Sequence, residues 1–191
     1  MTVDRKQSIL EAAAKSFTLF GYKATTMDQV AKLANVGKGT IYNFFKNKEE
    51  LFNEIIESLI IETRTIAEDS ISKEEPFHKN LHRALYRILE YRKKHQLTIK
   101  LFQEQREIGT VVVQEAMNRL EQEILSFLRT YVQKAIDKGE IKQCDPEFTA
   151  FLLLRLYVSL ISDWEKNHEP FSNEEVSHIF QLYLMEGLST R

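Results

Sequence analysis

Residues 25–45 read TTMDQVAKLANVGKGTIYNFF, and the spacing of their apolar positions decides the fold. Val30, Ala34, Val36, Ile41 and Phe44 follow neither the 3.6-residue period of one helix nor the alternation of a strand. They fit two short helices that cross after a tight turn, each turning residues into one small core. Thr26 with Gln29 three residues on matches a capping box, in which hydroxyl and amide satisfy each other's orphan backbone donors. Ala31 is small where the second helix approaches. Asn35 takes the turn, because after glycine it best tolerates a positive φ. Gly37 opens the next helix, which covers roughly 38–44.

Two glycines, Gly37 and Gly39, are a poor start for a helix unless something must come close to it. Backbone amides at a helix start point outward with the positive end of the dipole and suit phosphate. Glycine there lets a nucleic-acid backbone or base edge approach without a Cβ in the way. Thr40 offers a hydroxyl, Tyr42 a phenol on a rigid stalk, and Asn43 an amide able to pair with adenine in the major groove. Lys38, Lys46 and Lys48 surround them with positive charge. Phe45 packs on the first or fourth helix.

Outward from this stretch the chain reads as helices. It has 191 residues with only three prolines and six glycines, too few turn formers for a barrel or sandwich. Upstream, SILEAAAKSFTLFG sets Ile9, Ala13, Phe17 and Phe20 on one face, with Gly21 as a left-handed stop. Downstream, Asn47 caps a long helix whose Glu49 and Glu50 sit near the positive dipole end. Further helices run from Pro76 to about Lys94, through LTIKLFQEQREI to Gly109, and from Val113 to Ala135, closed by Gly139. Asp145 and Pro146 start DPEFTAFLLLRLYVSLISDWEKN, whose apolar residues on almost every side call for burial all round. A last helix spans about 172–187. The expectation is an all-α protein of about nine helices: a three-helix DNA-binding head at 1–47, and a helical effector-binding and dimerisation body at 48–191.

Charge separates the two. Residues 1–48 hold eight lysines and arginines against three acids, a net of +5, and the remaining 143 carry −7, for a total of −2. A basic head on an acidic body fits one end that meets a polyanion and another that does not. The single cysteine, Cys144, allows no intrachain disulfide and fits a reducing, cytoplasmic setting. No signal-like h-region and no apolar run of about 20 residues is present, which speaks against export and membrane spanning.

In TTMDQVAKLANVGKGTIYNFFKNKEELF, Thr25–Phe52, the threonine pair, KGTIY and FFKNKEEL stand in register, with GY just before. This stretch resembles the DNA-binding signature of the TetR family of bacterial transcriptional regulators. The likeness covers about the first 50 residues; the rest resembles the family in length, helix order and the junction at Asp137–Pro146. The resemblance implies Thr26 at a phosphate, Lys38, Gly39, Thr40 and Asn43 along the major groove, and Tyr42 and Lys48 on the DNA backbone, with Thr25 completing the set. Gly37 departs from the family, where alanine or a small hydroxyl is common, so a contact from that side chain is lost.

Such a head reads few base pairs, so a homodimer on double-stranded operator DNA is expected, with half-sites about 34 Å or more apart. Phe151, Arg155, Tyr157, Val158, Ile161, Phe180, Tyr183 and Leu184 are the candidates for a four-helix dimer interface. Arg155, set among leucines, calls for an acid such as Asp163 or Glu186 of the other subunit. The resemblance also implies an effector pocket between about residues 80 and 165. Phe102, Gln103, Arg106, Met117, Leu120, Tyr157 and Trp164 mix aromatic and polar character as small-molecule sites do, suiting a hydrophobic or amphipathic effector.

His78 and His82 stand at i, i+4 but lack a third ligand, so no metal is expected. No catalytic constellation and no cofactor motif appears. The reading is a repressor rather than an enzyme. The rival is a helical enzyme or ligand-binding protein whose head makes only protein contacts.

Overall fold

A computed structural model describes residues 5–72, 74–75, 77–91 and 96–185. Among them nine α-helices occur and no β-strand: α1 (Arg5–Ala24), α2 (Met27–Leu33), α3 (Lys38–Phe44), α4 (Lys48–Asp69), α5 (Phe77–Tyr91), α6 (Gln96–Glu107), α7 (Val111–Asp137), α8 (Pro146–Val158) and α9 (Asn173–Phe180). They sort into two compact units, Met1–Ile61 with Lys94–Leu120, and Glu62–Lys93 with Glu121–Arg191. This division differs from the boundary expected at residue 47. The first unit takes in α6 and the start of α7, which no local sequence signal ties to the head.

In the first unit α1 buries Ile9, Ala13 and Phe17 completely, as its periodicity requires. Phe20 does not join them and stays 54% exposed. The reason lies one residue on. Gly21 adopts φ 82°, ψ 170°, which ends the regular helix and swings Tyr22 into the core instead. Tyr22 stacks on Phe17 at 5.7 Å and meets Phe52 of α4 at 4.8 Å, while Phe17 and Phe52 pack edge to face at 5.3 Å. Removing one such buried ring costs about 3–5 kcal/mol.

The capping box at Thr26 is present, with Gln29 N–H donating to the Thr26 hydroxyl and Thr26 N–H to the Gln29 side chain. Asn35 has φ 52°. Asn35 N–H donates to Lys32 C=O and Val36 N–H to Ala31 C=O, a Schellman closure that sets the angle between α2 and α3. Met27, Val30 and Ala31 of α2 are buried, as are Ile41 of α3 and Phe45 just after it. Phe44 does not turn inward as its spacing predicts: it is 40% exposed, because α3 ends there and the extended backbone at Phe45 turns the second ring inward.

The second unit is built on Phe77, Leu81, Val132, Ala135, Ile141, Leu153, Leu160, Val176 and Phe180. Asp145 caps α8 through Glu147 N–H and Phe148 N–H, with Pro146 in the first turn. The helix is not buried all round. Leu153 and Leu154 face the core while Phe148, Phe151 and Leu152 lie at least 40% exposed, so the chain alone covers one side. The regular helix also ends earlier than its apolar run suggests, passing into a π-turn at Ser159–Asp163 and a 3₁₀ turn at Trp164–Lys166. A second π-turn at Gln181–Met185 follows α9.

Candidate nucleic-acid interface and ligand cavity

The α3 helix presents one continuous exposed face. Lys38, Gly39, Tyr42 and Asn43 are exposed and Thr40 is half-buried. Tyr42 is 44% exposed, so the phenol is not a core residue. Neither glycine is demanded by the fold. Gly37 caps α3 at φ −69°, ψ 152°, a conformation open to any residue, and a Cβ there would meet only the Thr40 hydroxyl at 3.8 Å. A Cβ on Gly39 would meet nothing within 4 Å. The surface beside both glycines is open.

Thr26 sits exposed as the cap of α2. Lys38 reaches back to Asp28, with Nζ 2.9 Å and 3.0 Å from its two carboxylate oxygens. That hydrogen bond, and then the charge of Asp28, raise the Lys38 pKa, which keeps the ammonium charged.

Two residues of the expected contact set face inward. Thr25 is fully buried, and its hydroxyl donates to Gly21 C=O at 2.8 Å while pairing with the Ser16 hydroxyl at 3.1 Å. Its one proton is committed to the carbonyl, so Ser16 donates in the second bond. Thr25 therefore splices the end of α1 to the start of α2 and offers no side chain to DNA. Lys48 is half-buried, with Nζ donating to Tyr22 C=O at 2.8 Å and Thr25 C=O at 2.9 Å and lying 4.3 Å from the Tyr22 ring centroid. Burial lowers its pKa. Its ammonium closes the carbonyl end of α1 rather than pointing at solvent.

Sequence reasoning missed Glu104. It is 4% exposed and bound to the backbone of Tyr22 and Lys23. The signal was available: Leu97, Leu101 and Glu104 share one buried face of α6, and the third is an acid on an apolar stripe.

In the second unit a cavity of about 750 Å³ opens among α4, α5 and α7. Its apolar wall is Ile71, Phe77 and Phe127 with Tyr131, whose ring stacks on Phe77 at 5.2 Å and lies parallel to Phe127 at 6.4 Å. Burial pushes the Tyr131 pKa up to about 12, so the phenol stays neutral. Arg64, Lys134 and Lys138 mix with Glu68, Glu123 and Glu140 at the polar margin.

The seven residues expected at a pocket do not line this cavity. Phe102, Gln103, Arg106, Met117 and Leu120 belong to the first unit, where Met117 and Leu120 are core, and Tyr157 and Trp164 belong to the second. Tyr157 packs against the second core, and Trp164 stacks on His168 at 3.9 Å. Aromatic and polar composition alone could not tell a core face from a cavity wall. The α7 pair Phe127 and Tyr131, one turn apart, was the better signal.

Residues 9–55 match the profile of bacterial regulatory proteins of the tetR family, and residues 74–188 match that of a tetracyclin repressor-like C-terminal domain. The chain is 58% identical over 189 residues to the HTH-type transcriptional regulator YhgD of Bacillus subtilis (strain 168), covering 99% of each chain. The chain belongs to the TetR family. It is thus a helix-turn-helix transcriptional regulator. Two solved structures share its fold. The fatty acid degradation regulator FadR from Bacillus halodurans is 16% identical over 100% of both chains, with a TM-score of 0.83. The transcriptional regulator FadR from Bacillus subtilis, solved with stearoyl-CoA, is 20% identical with a TM-score of 0.80, over 95% of this chain and 98% of that one.

In this TetR-family chain the residues expected at a dimer interface divide. Phe151 and Arg155 are exposed on α8, Val158 is half-buried, and Tyr183 is 71% exposed. Phe180 is 1% exposed in the core of the second unit, so it is withdrawn from any surface. The side chains of Ile161, Leu184 and His78, and all of Glu186, lie outside the described residues. Arg155 needs no acid from another subunit: its guanidinium pairs with Glu121 and lies 5.0 Å from the Phe151 ring centroid. Among the described residues no helix is long and apolar enough to cross a membrane.

Proposed function

We propose that this regulator is a cytoplasmic, homodimeric repressor and not an enzyme, which leaves its operator when a small hydrophobic or amphipathic effector binds. The observation that carries the DNA contact is the α3 face, where glycines the fold does not need adjoin exposed Tyr42 and Asn43. On this reading Lys38, Gly39, Thr40 and Asn43 follow the major groove, while Thr26 and Tyr42 meet the DNA backbone. Lys38 gives up its exposed pair with Asp28 to enter the groove.

The exposed α8 face with Phe148, Phe151 and Leu152 joins the two protomers. Association explains why a helix this apolar is half uncovered in one chain. The effector sits in the cavity walled by Phe77, Phe127 and Tyr131, a volume within the usual range for small-molecule sites. The acyl chain and charged head of the stearoyl-CoA found with the Bacillus subtilis FadR are the kind of amphipathic pairing that aromatic walls and a charged margin would suit. Release follows if the effector binds the non-DNA state more tightly than the DNA-bound one.

A mobility shift on a duplex from the promoter region of its own gene tests the reading. A shifted band is expected, and its absence at low salt would refute the proposal.

A further inference from the structure

Glu104 is the one charged side chain among the buried described residues. A buried carboxylate is costly unless it is hydrogen-bonded, and this one accepts three bonds. Oε2 takes Tyr22 N–H at 2.6 Å, while Oε1 takes Lys23 N–H at 3.0 Å and the Thr110 hydroxyl at 3.1 Å. Two of the three donors are backbone amides more than 80 residues away, at the joint where α1 ends. Gly21 is shaped to this carboxylate. Its φ of +82° disfavours any side chain, and a Cβ there would stand 2.5 Å from Glu104 Oε2.

The same joint is held from its other side. Lys48 of α4 binds the carbonyls of Tyr22 and Thr25, and the Thr25 hydroxyl binds Gly21 C=O. Three residues after Lys23 comes Thr26, the cap of α2, and α2 carries α3 through the Asn35 turn. A shift of α6 therefore has a charged, directional grip on the backbone that sets where α2 begins.

We propose that Glu104 is a positioning residue for DNA binding, through which α6 fixes the joint between α1 and α2 and so the presentation of α3. This rests on the reading that the head binds DNA. Among the described residues its hydrogen-bond partners are Tyr22, Lys23 and Thr110.

Glu104→Gln keeps the size but turns one acceptor oxygen into a donor that faces an N–H. In the full-length protein, at a temperature where circular dichroism shows both forms folded, affinity for the promoter duplex should fall about tenfold or more. Hydrogen exchange should accelerate at the Tyr22 and Lys23 amides while the Val30 and Ile41 amides keep their protection, which general destabilisation would not produce. Gly21→Ala displaces the same carboxylate, so its effect and that of Glu104→Gln should not add. The double variant is expected within about threefold of the weaker-binding single variant. Should Glu104→Gln fail to fold, Thr110→Val removes only the hydroxyl donor, and a loss of about threefold is expected. Wild-type binding with undiminished affinity in the folded variants, or fully additive losses, would overturn the proposal. A wild-type protein that binds no promoter duplex would instead remove the DNA reading and this inference with it.

Discussion

Lys48 and Glu104, of opposite charge and from different helices, hold the two sides of one peptide segment. The ammonium takes the carbonyls of Tyr22 and Thr25, and the carboxylate takes the amides of Tyr22 and Lys23. The carbonyls of Tyr22 and Thr25, at the joint between α1 and α2, are thus satisfied by a side chain far along the sequence.

Lys48→Met is expected to leave those carbonyls unpaired and lower unfolding free energy by about 1–3 kcal/mol, read from denaturant unfolding. The salt dependence of DNA binding should keep its slope. A phosphate contact would behave in the opposite way, with stability unchanged and a slope smaller by about one.

Gly39→Ala separates fold from function. The position is helical and a Cβ meets nothing, so the variant should be more stable by about 0.5–1 kcal/mol in thermal unfolding. Affinity for the promoter duplex should nonetheless drop, because the new methyl stands on the face proposed to meet DNA. A variant both stabler and equally tight would show that the glycine answers to nothing in the complex.

The helix-turn-helix was legible because its signals are local. The capping box, the turn asparagine and the small Ala31 each act within a few residues, and all appear where their chemistry places them. Phe20 and Phe44 were misread because both sit at helix ends. A periodicity argument extends a face past the point where Gly21 or Phe45 redirects the chain. The roles of Thr25, Lys48 and Glu104 depend on contacts made after folding. Lys48 and Glu104 in particular join residues more than 20 and more than 80 positions apart. The cavity escaped for a related reason. Its wall forms only when Phe77 of α5 meets Tyr131 of α7.

Phe151→Glu tests the exposed α8 face. Its ring is 40% exposed and lies 5.0 Å from the Arg155 guanidinium, so the single chain should stay folded while replacing the ring by a carboxylate removes apolar contact and blocks association. Sedimentation at micromolar concentration should find wild-type dimer and variant monomer. A wild-type monomer would rule out the interface.

Tyr131 gives the protein an alkaline limb. Its pKa rises from 10.0 to about 12 on folding, so the folded state holds the phenol proton after the unfolded state has lost it. The stabilisation is complete below pH 10 and disappears as pH rises towards 12. Tyr131→Phe should flatten the fall in melting temperature above pH 10, measured against wild type in the same buffers. An identical alkaline limb would place the cause elsewhere.

If α3 meets DNA through charge and close approach, a salt titration of promoter-duplex binding reads that contact out. Counterion release should make log affinity fall linearly with log salt, with a slope of about −0.9 for each phosphate neutralised. A homodimer using several phosphates per head should therefore lose affinity steeply between low and physiological salt. A flat dependence, or no binding at low salt, would rule out this contact between α3 and DNA.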